Sequence, residues 1–270
     1  MHITTATTDH TPAVEHGEKK VPPQGIISRV AKIANRKRFR DALKRSVDNR
    51  KKIRRWRSLR HHTNNPRTLQ PFDEHQCIFV HVPKTGGISV NTALFGRTTG
   101  GHRTVLEYRQ IFGKSTFDKY FKFAFVRNPW DWLVSTYFYC KQGGRFRCHR
   151  WAEEHLREYD TFESFVYGWF ERGNERSLHK IFLPQHHYLC DENGTLAVDF
   201  LGLFENFEED FAHVQRSLGG IGSKLNHRNA GKHRSYQDYY TNETREIVAQ
   251  AYKTDIELFG YEFLTNHRLS

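Results

Sequence analysis

Apolar positions along this chain follow two rhythms. Cys77-Ile-Phe-Val-His-Val82 and Phe121-Lys-Phe-Ala-Phe-Val126 are nearly continuous apolar runs, rich in β-branched and aromatic residues. Runs of this kind are expected of strands buried on both faces. The first is stopped by Pro83 and the second by Arg127-Asn128-Pro129, because proline cannot donate to a ladder. Leu196–Leu203 reads as a third strand. Between them the apolar spacing changes to three or four residues, which predicts helices over Ile88–Leu94, Trp130–Tyr139 and the acidic stretch Glu205–Leu218. A closing helix is predicted over Thr241–Phe259. Alternation of this kind predicts an α/β fold with a mostly parallel sheet covered by helices on both faces.

The N-terminal quarter has a different pattern. Residues 1–24 are polar and carry no periodicity, so a disordered segment is expected there. From residue 25 the apolar positions Ile26, Val30, Ile33, Phe39, Leu43, Val47, Ile53, Trp56 and Leu59 recur every three or four residues, with Lys and Arg filling most gaps. This predicts a basic amphipathic helix or helix pair. Two uses of its apolar stripe stay open: docking on an acidic surface, or packing on the body of the protein. His61–Pro66 reads as a linker. The expected organisation is a disordered segment (1–24), a basic helical extension with its linker (25–70) and a folded domain (71–270).

Charge sharpens that division. The 270 residues carry a formal net charge of +12. Residues 1–70 hold 18 Lys and Arg against 5 Asp and Glu, whereas residues 71–270 hold 24 against 25. The excess basicity therefore belongs to the extension, and peripheral membrane contact through residues 25–60 is a further expectation, with nucleic acid the weaker candidate. No run of 18 apolar residues and no signal-peptide core occurs, which fits a cytoplasmic protein, with any membrane association peripheral. The four cysteines, at 77, 140, 148 and 190, read as reduced thiols. Cys140 and Cys148 could pair in an oxidising compartment. Together with His149 and His155 they match no common zinc spacing, and no metal is expected.

Chemistry concentrates in two loops. Pro83-Lys-Thr-Gly-Gly-Ile-Ser89 joins a strand to a helix, the arrangement that directs backbone N–H groups and the positive helix end at an anion. Lys84 adds a charge, and Thr85 and Ser89 add hydroxyls. The order differs from a Walker A loop, in which lysine follows the glycines and precedes a magnesium-binding hydroxyl. The companion strand ends in Arg127, with Ser135 eight residues later, where a metal-dependent nucleotide hydrolase would place an Asp. A fixed Arg with a nearby hydroxyl suits a second phosphate. The two loops together suggest two anion sites without a metal.

The pair "PKTGGIS" and "RNPWDWLVS" resembles the cofactor loops of the sulfotransferases, whose donor is 3′-phosphoadenosine 5′-phosphosulfate. The similarity runs from about residue 76 to 263 and is closest to the carbohydrate branch. "DFLGLFENFEEDF" and "YYTNETREIVAQAYKTDIELFGYEF" resemble later segments of that branch. The resemblance implies a P-loop NTPase-like three-layer fold with a central, mostly parallel sheet. It places Lys84, Thr85, Gly86, Gly87, Ile88 and Ser89 at the 5′-phosphosulfate, and Arg127 and Ser135 at the 3′-phosphate. Two departures concern the 3′ side. Trp132 replaces an Arg, and Asn229-Ala-Gly231 lacks the hydroxyl of an Asn-x-Ser.

Transfer to an alcohol also needs a base, and His is suited to that task near neutral pH. The resemblance points to His102, in "TTGGHRTVLEY", with Lys84 as the second catalytic group. His187, beside His186 in "LPQHHYLC", is a rival. Glu107 is a weaker candidate, and His81 is expected to be a packed strand residue. The expected activity is sulfuryl transfer to a carbohydrate or glycolipid hydroxyl in a cytoplasmic, bacterial setting. A magnesium-dependent kinase of related fold and a non-enzymatic nucleic-acid or membrane binder acting through the extension are the alternatives.

Overall fold

The computed structural model describes residues 50–264 apart from 62–63, 66, 144–145, 172–178 and 226–233. The expected disordered segment, the extension up to residue 49 and the Asn229–Gly231 turn lie outside the described residues. Three strands, β1 (Cys77–Val80), β2 (Phe121–Val126) and β3 (Phe200–Leu203), form one sheet in the order β1-β2-β3. Both pairings are parallel, with Phe79 opposite Phe123 and Phe123 opposite Phe200. The three predicted strands are thus present, but the third is shorter than its apolar run. Leu196 forms a single antiparallel bridge to Cys190, and the ladder with β2 begins only at Phe200.

The helices, in chain order, are α1 (Arg50–Ser58), α2 (Gln70–Glu74), α3 (Gly87–Phe95), α4 (Val105–Phe112), α5 (Lys114–Lys119), α6 (Pro129–Lys141), α7 (Phe146–His155), α8 (Phe162–Glu171), α9 (His186–Leu189), α10 (Phe207–Ser217), α11 (Asn242–Ala251) and α12 (Lys253–Phe259). The predicted closing helix is therefore two helices, separated at Tyr252. Thr104 and Glu107 form a reciprocal capping box at the start of α4, satisfying two of the orphan donors there.

One apolar cluster surrounds the sheet, and a second lies among α6, α7, α8 and α11. β1 is buried along its whole length, and β2 everywhere but its first residue. Ile53 and Leu59 belong to the cluster around the sheet, so α1 uses its apolar stripe to pack on the body. Its Lys51, Arg54, Arg55 and Arg57 are exposed. Among the described residues no helix is long and apolar enough to cross a membrane.

Candidate active site

Parallel strands deliver their C-terminal ends to one edge of a sheet, the usual ligand edge of such folds. The loop after β1 is held there in a specific shape. Lys84 and Gly86 both have left-handed backbone, with φ of 64° and 77°. Gly86 is the N-cap of α3 and supplies no side-chain cap, which leaves the leading N–H groups of a nine-residue helix available to an anion. Each glycine also has a packing reason. A Cβ on Gly86 would lie 2.5 Å from the Phe207 ring, and one on Gly87 would lie 2.0 Å from the His81 ring.

The side chains of this loop divide into two groups. The Thr85 hydroxyl is buried and donates to the Val82 carbonyl at 3.0 Å, so it shapes the turn. Ile88 is exposed, and Ser89 is half-buried on the first turn of α3. The Lys84 ammonium lies 4.2 Å over the Tyr139 ring, at the face where a ring's negative charge density attracts a cation.

Arg127 at the end of β2 joins this loop directly. Its Nη1 donates to the Lys84 carbonyl at 3.4 Å, its Nε bonds Asp131 at 2.6 Å, and its guanidinium stacks 4.3 Å from the Phe204 ring. These two hydrogen bonds use Nε and Nη1. Ser135 is buried two turns along α6. Trp132, on the same helix, is fully buried and donates from its indole to the Pro83 carbonyl at 2.8 Å.

The backbone beneath Arg127 is clamped by residues that no local pattern singled out. The buried Gln185 amide accepts from the Arg127 N–H at 2.9 Å and donates to its carbonyl at 2.6 Å. Asp255, fully buried on α12, accepts from the backbone of Gln185 and His186 and pairs with the His186 ring at 2.6 Å. Next in the chain, Asn128 donates its backbone N–H to Glu205 at 2.6 Å. Burial raises the Glu205 pKa, against the hydrogen bonds from Asn128 and Tyr261. Only polar residues 58 to 77 positions away signal such a clamp, and their sequence context is not distinctive.

The histidines separate by environment. His102 is exposed beside the loop, with its Nδ1 3.0 Å from the His81 carbonyl and its ring 4.3 Å from the His81 ring. A carbonyl oxygen only accepts, so Nδ1 carries the proton and Nε2 is the basic nitrogen. His81 is buried, stacked on Phe79, with its ring over Gly87. His102, His81 and the glycine loop therefore form one continuous stack. His186 is held by Asp255, and burial pushes the His187 pKa down to about 4. The Glu107 carboxylate is engaged by the Thr104 N–H and by Lys52 at 3.0 Å.

Cys77, Cys140 and Cys190 are buried free thiols, and burial pushes Cys77 and Cys190 up to about 12, which makes both inert. The Cys148 side chain lies outside the described residues. No group of three or more metal-ligating side chains occurs among the described residues.

An uncharacterized protein of Archaeoglobus fulgidus is 32% identical over 111 residues, covering 41% of this chain and 78% of the relative. No solved structure matches the chain. The family model described as "Sulfotransferase family" matches residues 67–262, a span that contains both loops, Arg127 and His102. By that match over most of its length, the chain belongs to the sulfotransferase family.

Proposed function

We propose that this sulfotransferase takes its sulfuryl group from 3′-phosphoadenosine 5′-phosphosulfate and passes it to a carbohydrate or glycolipid hydroxyl, on a P-loop-like three-layer scaffold. The observation that carries the reading is the Arg127–Lys84 contact at 3.4 Å. It ties the Arg127 guanidinium at one strand end to the backbone of the Lys84 loop at the next, beside an uncapped helix N-terminus, an arrangement that suits a molecule with two separated phosphate positions.

The donor supplies an activated sulfuryl group. Lys84 and the leading N–H groups of α3 hold the 5′ side, and Lys84 offsets the charge that develops on the departing phosphate oxygen. Arg127 through Nη2, with Ser135, holds the 3′ phosphate and so fixes the nucleotide. His102 accepts the acceptor's hydroxyl proton at Nε2, and its Nδ1–H stays on the His81 carbonyl as the ring becomes charged.

Calorimetry with 3′,5′-adenosine bisphosphate against ATP, each with and without Mg²⁺, tests the donor. Metal-independent binding of the bisphosphate supports the reading; preference for Mg-ATP overturns it. Transfer of labelled sulfate to neutral oligosaccharides or to glycolipid micelles then separates the acceptor classes. The outward Lys51, Arg54, Arg55 and Arg57 suit an acidic membrane surface, and each cation near such a surface contributes roughly 1 kcal/mol. Because the apolar side of α1 is buried, that contact is electrostatic, and flotation with anionic vesicles should be lost at high salt.

A further inference from the structure

Helix α1 lies outside the span that matches the family, residues 67–262. Its inner face nevertheless meets the residue that follows His102. Arg103 is only 4% exposed, and its Nε and Nη1 are buried without a hydrogen-bond partner. What Arg103 does meet is an aromatic face: its guanidinium carbon lies 4.5 Å over the Trp56 ring. Lys52, one turn earlier on α1, lies 4.2 Å from the same ring and pairs with Glu107 at 3.0 Å.

A buried guanidinium with unpaired N–H groups is unfavourable unless something offsets the lost hydration. The indole does so here, since a cation on an aromatic face gains most where water is excluded. Arg103 therefore keeps its place because Trp56 covers it. The segment between them leaves His102 little freedom. Gly100 and Gly101 are both left-handed, with φ of 71° and 73°. The Arg103 N–H closes back on the Gly101 carbonyl at 3.0 Å, and Thr104 is already the cap of α4. His102 is held between two anchors, its Nδ1 on the His81 carbonyl and its neighbour under Trp56.

We propose that Trp56 is a positioning residue for His102, acting through Arg103, so that a helix outside the family span forms part of the site. The inference rests on the reading of His102 as the base. A fragment without α1 would keep both nucleotide loops but lose the fixed orientation of the imidazole.

The test uses full-length protein, ¹⁵N NMR of the histidine rings, and calorimetry with 3′,5′-adenosine bisphosphate. In the unaltered chain His102 should show the Nδ1–H tautomer. Trp56→Ala should erase that tautomer preference and shift the His102 titration, with nucleotide affinity changed by less than about 3-fold, as expected for a group remote from the ligand. Trp56→Phe, which keeps an aromatic face, should restore the His102 signature. Should Trp56→Ala not fold, Trp56→Leu keeps the bulk without the ring face and is read in the same way.

The inference is overturned if the folded variant keeps the His102 tautomer and titration. It is equally overturned if nucleotide affinity falls as far as the His102 signal changes and Phe does not rescue it, since that pattern marks general loosening. The base assignment fails separately, if His102→Ala retains turnover. The NMR readout does not depend on turnover.

Discussion

The indole N–H of Trp132 reaches the carbonyl of Pro83 across 2.8 Å, so the helix that follows β2 holds the loop that follows β1. The resemblance leads one to expect an arginine at position 132. The indole instead is fully buried, with its ring edge-on to Tyr252 at 5.4 Å. Trp132→Phe should leave the Pro83 carbonyl without its donor and cost about 1–3 kcal/mol. Thermal unfolding measures that loss, and calorimetry should show weaker nucleotide binding, because the Lys84 loop loses a tie to α6. Unchanged affinity would mean that the loop keeps its shape without the indole.

Lys84→Ala and Arg127→Ala should fail in different ways. Arg127 is proposed to hold a phosphate that does not react, and a charge-assisted contact is worth about 1.5–3 kcal/mol. Its loss should appear as weaker ground-state binding of 3′,5′-adenosine bisphosphate. Lys84 is proposed to meet charge that grows during transfer, so its removal should lower turnover more than binding. Equal effects of the two variants on binding and on rate would count against this division of labour.

Gly87→Ala places a methyl group 2.0 Å from the His81 ring. The ring is wedged between Phe79 and His102, with centroids 5.5 and 4.3 Å away, so it cannot yield without moving one of them. Overpacking of this kind costs about 1–3 kcal/mol. The variant should unfold at lower temperature and turn over more slowly than its nucleotide affinity alone explains. A fully active Gly87→Ala enzyme would sever the proposed link from glycine to His81 to His102.

Removing a general base costs about 10²–10⁴-fold in rate. His102→Ala should pay that penalty while keeping nucleotide affinity. If His102 is the base, the neutral imidazole is the active form, so wild-type activity should rise with pH as that ring loses its proton. Burial pushes the pKa of the rival His187 down to about 4, which would place the acidic limb well below the range of an ordinary imidazole. The position of that limb in a pH–rate profile decides between them.

His187 should instead be visible in stability. Burial, its largest cause, lowers the folded-state pKa to about 4 from the model-peptide value of 6.5. Between those values the unfolded chain binds more protons than the native one, so stability increases with pH across that window. The contribution is complete above about pH 6.5 and is lost as pH falls toward 4, amounting to roughly 3 kcal/mol. Denaturant unfolding across pH 4–7 should show this slope, and His187→Phe should flatten it.

What the chain determined by itself is local. Two apolar runs stopped by proline specify β1 and β2, because a strand needs only its own β-branched and aromatic residues and a breaker to be recognised. The strand–loop–helix passage through Pro83–Ser89 was legible for the same reason, whereas the left-handed backbone of Lys84 was not. The third strand was overextended: Leu196–Asp199 are apolar enough for a strand, but β2 offers a ladder only from Phe200 onward. The closing helix was likewise drawn as one piece, although it breaks at Tyr252, whose ring is buried edge-on to Trp132.

The site needed the tertiary structure. The loops after β1 and β2 are over forty residues apart, and only the parallel order of the sheet brings Arg127 to the Lys84 carbonyl. Gln185 and Asp255 have no local signature as clamps, because a buried amide and a buried carboxylate acquire that meaning only from the backbone groups they face. The apolar stripe of the basic extension left two uses open, an external surface or the protein's own core. For α1, Ile53 and Leu59 are in the core, and its charges are what remain outside. A helical repeat specifies that a face will be covered, whereas the identity of its cover is a property of the folded chain.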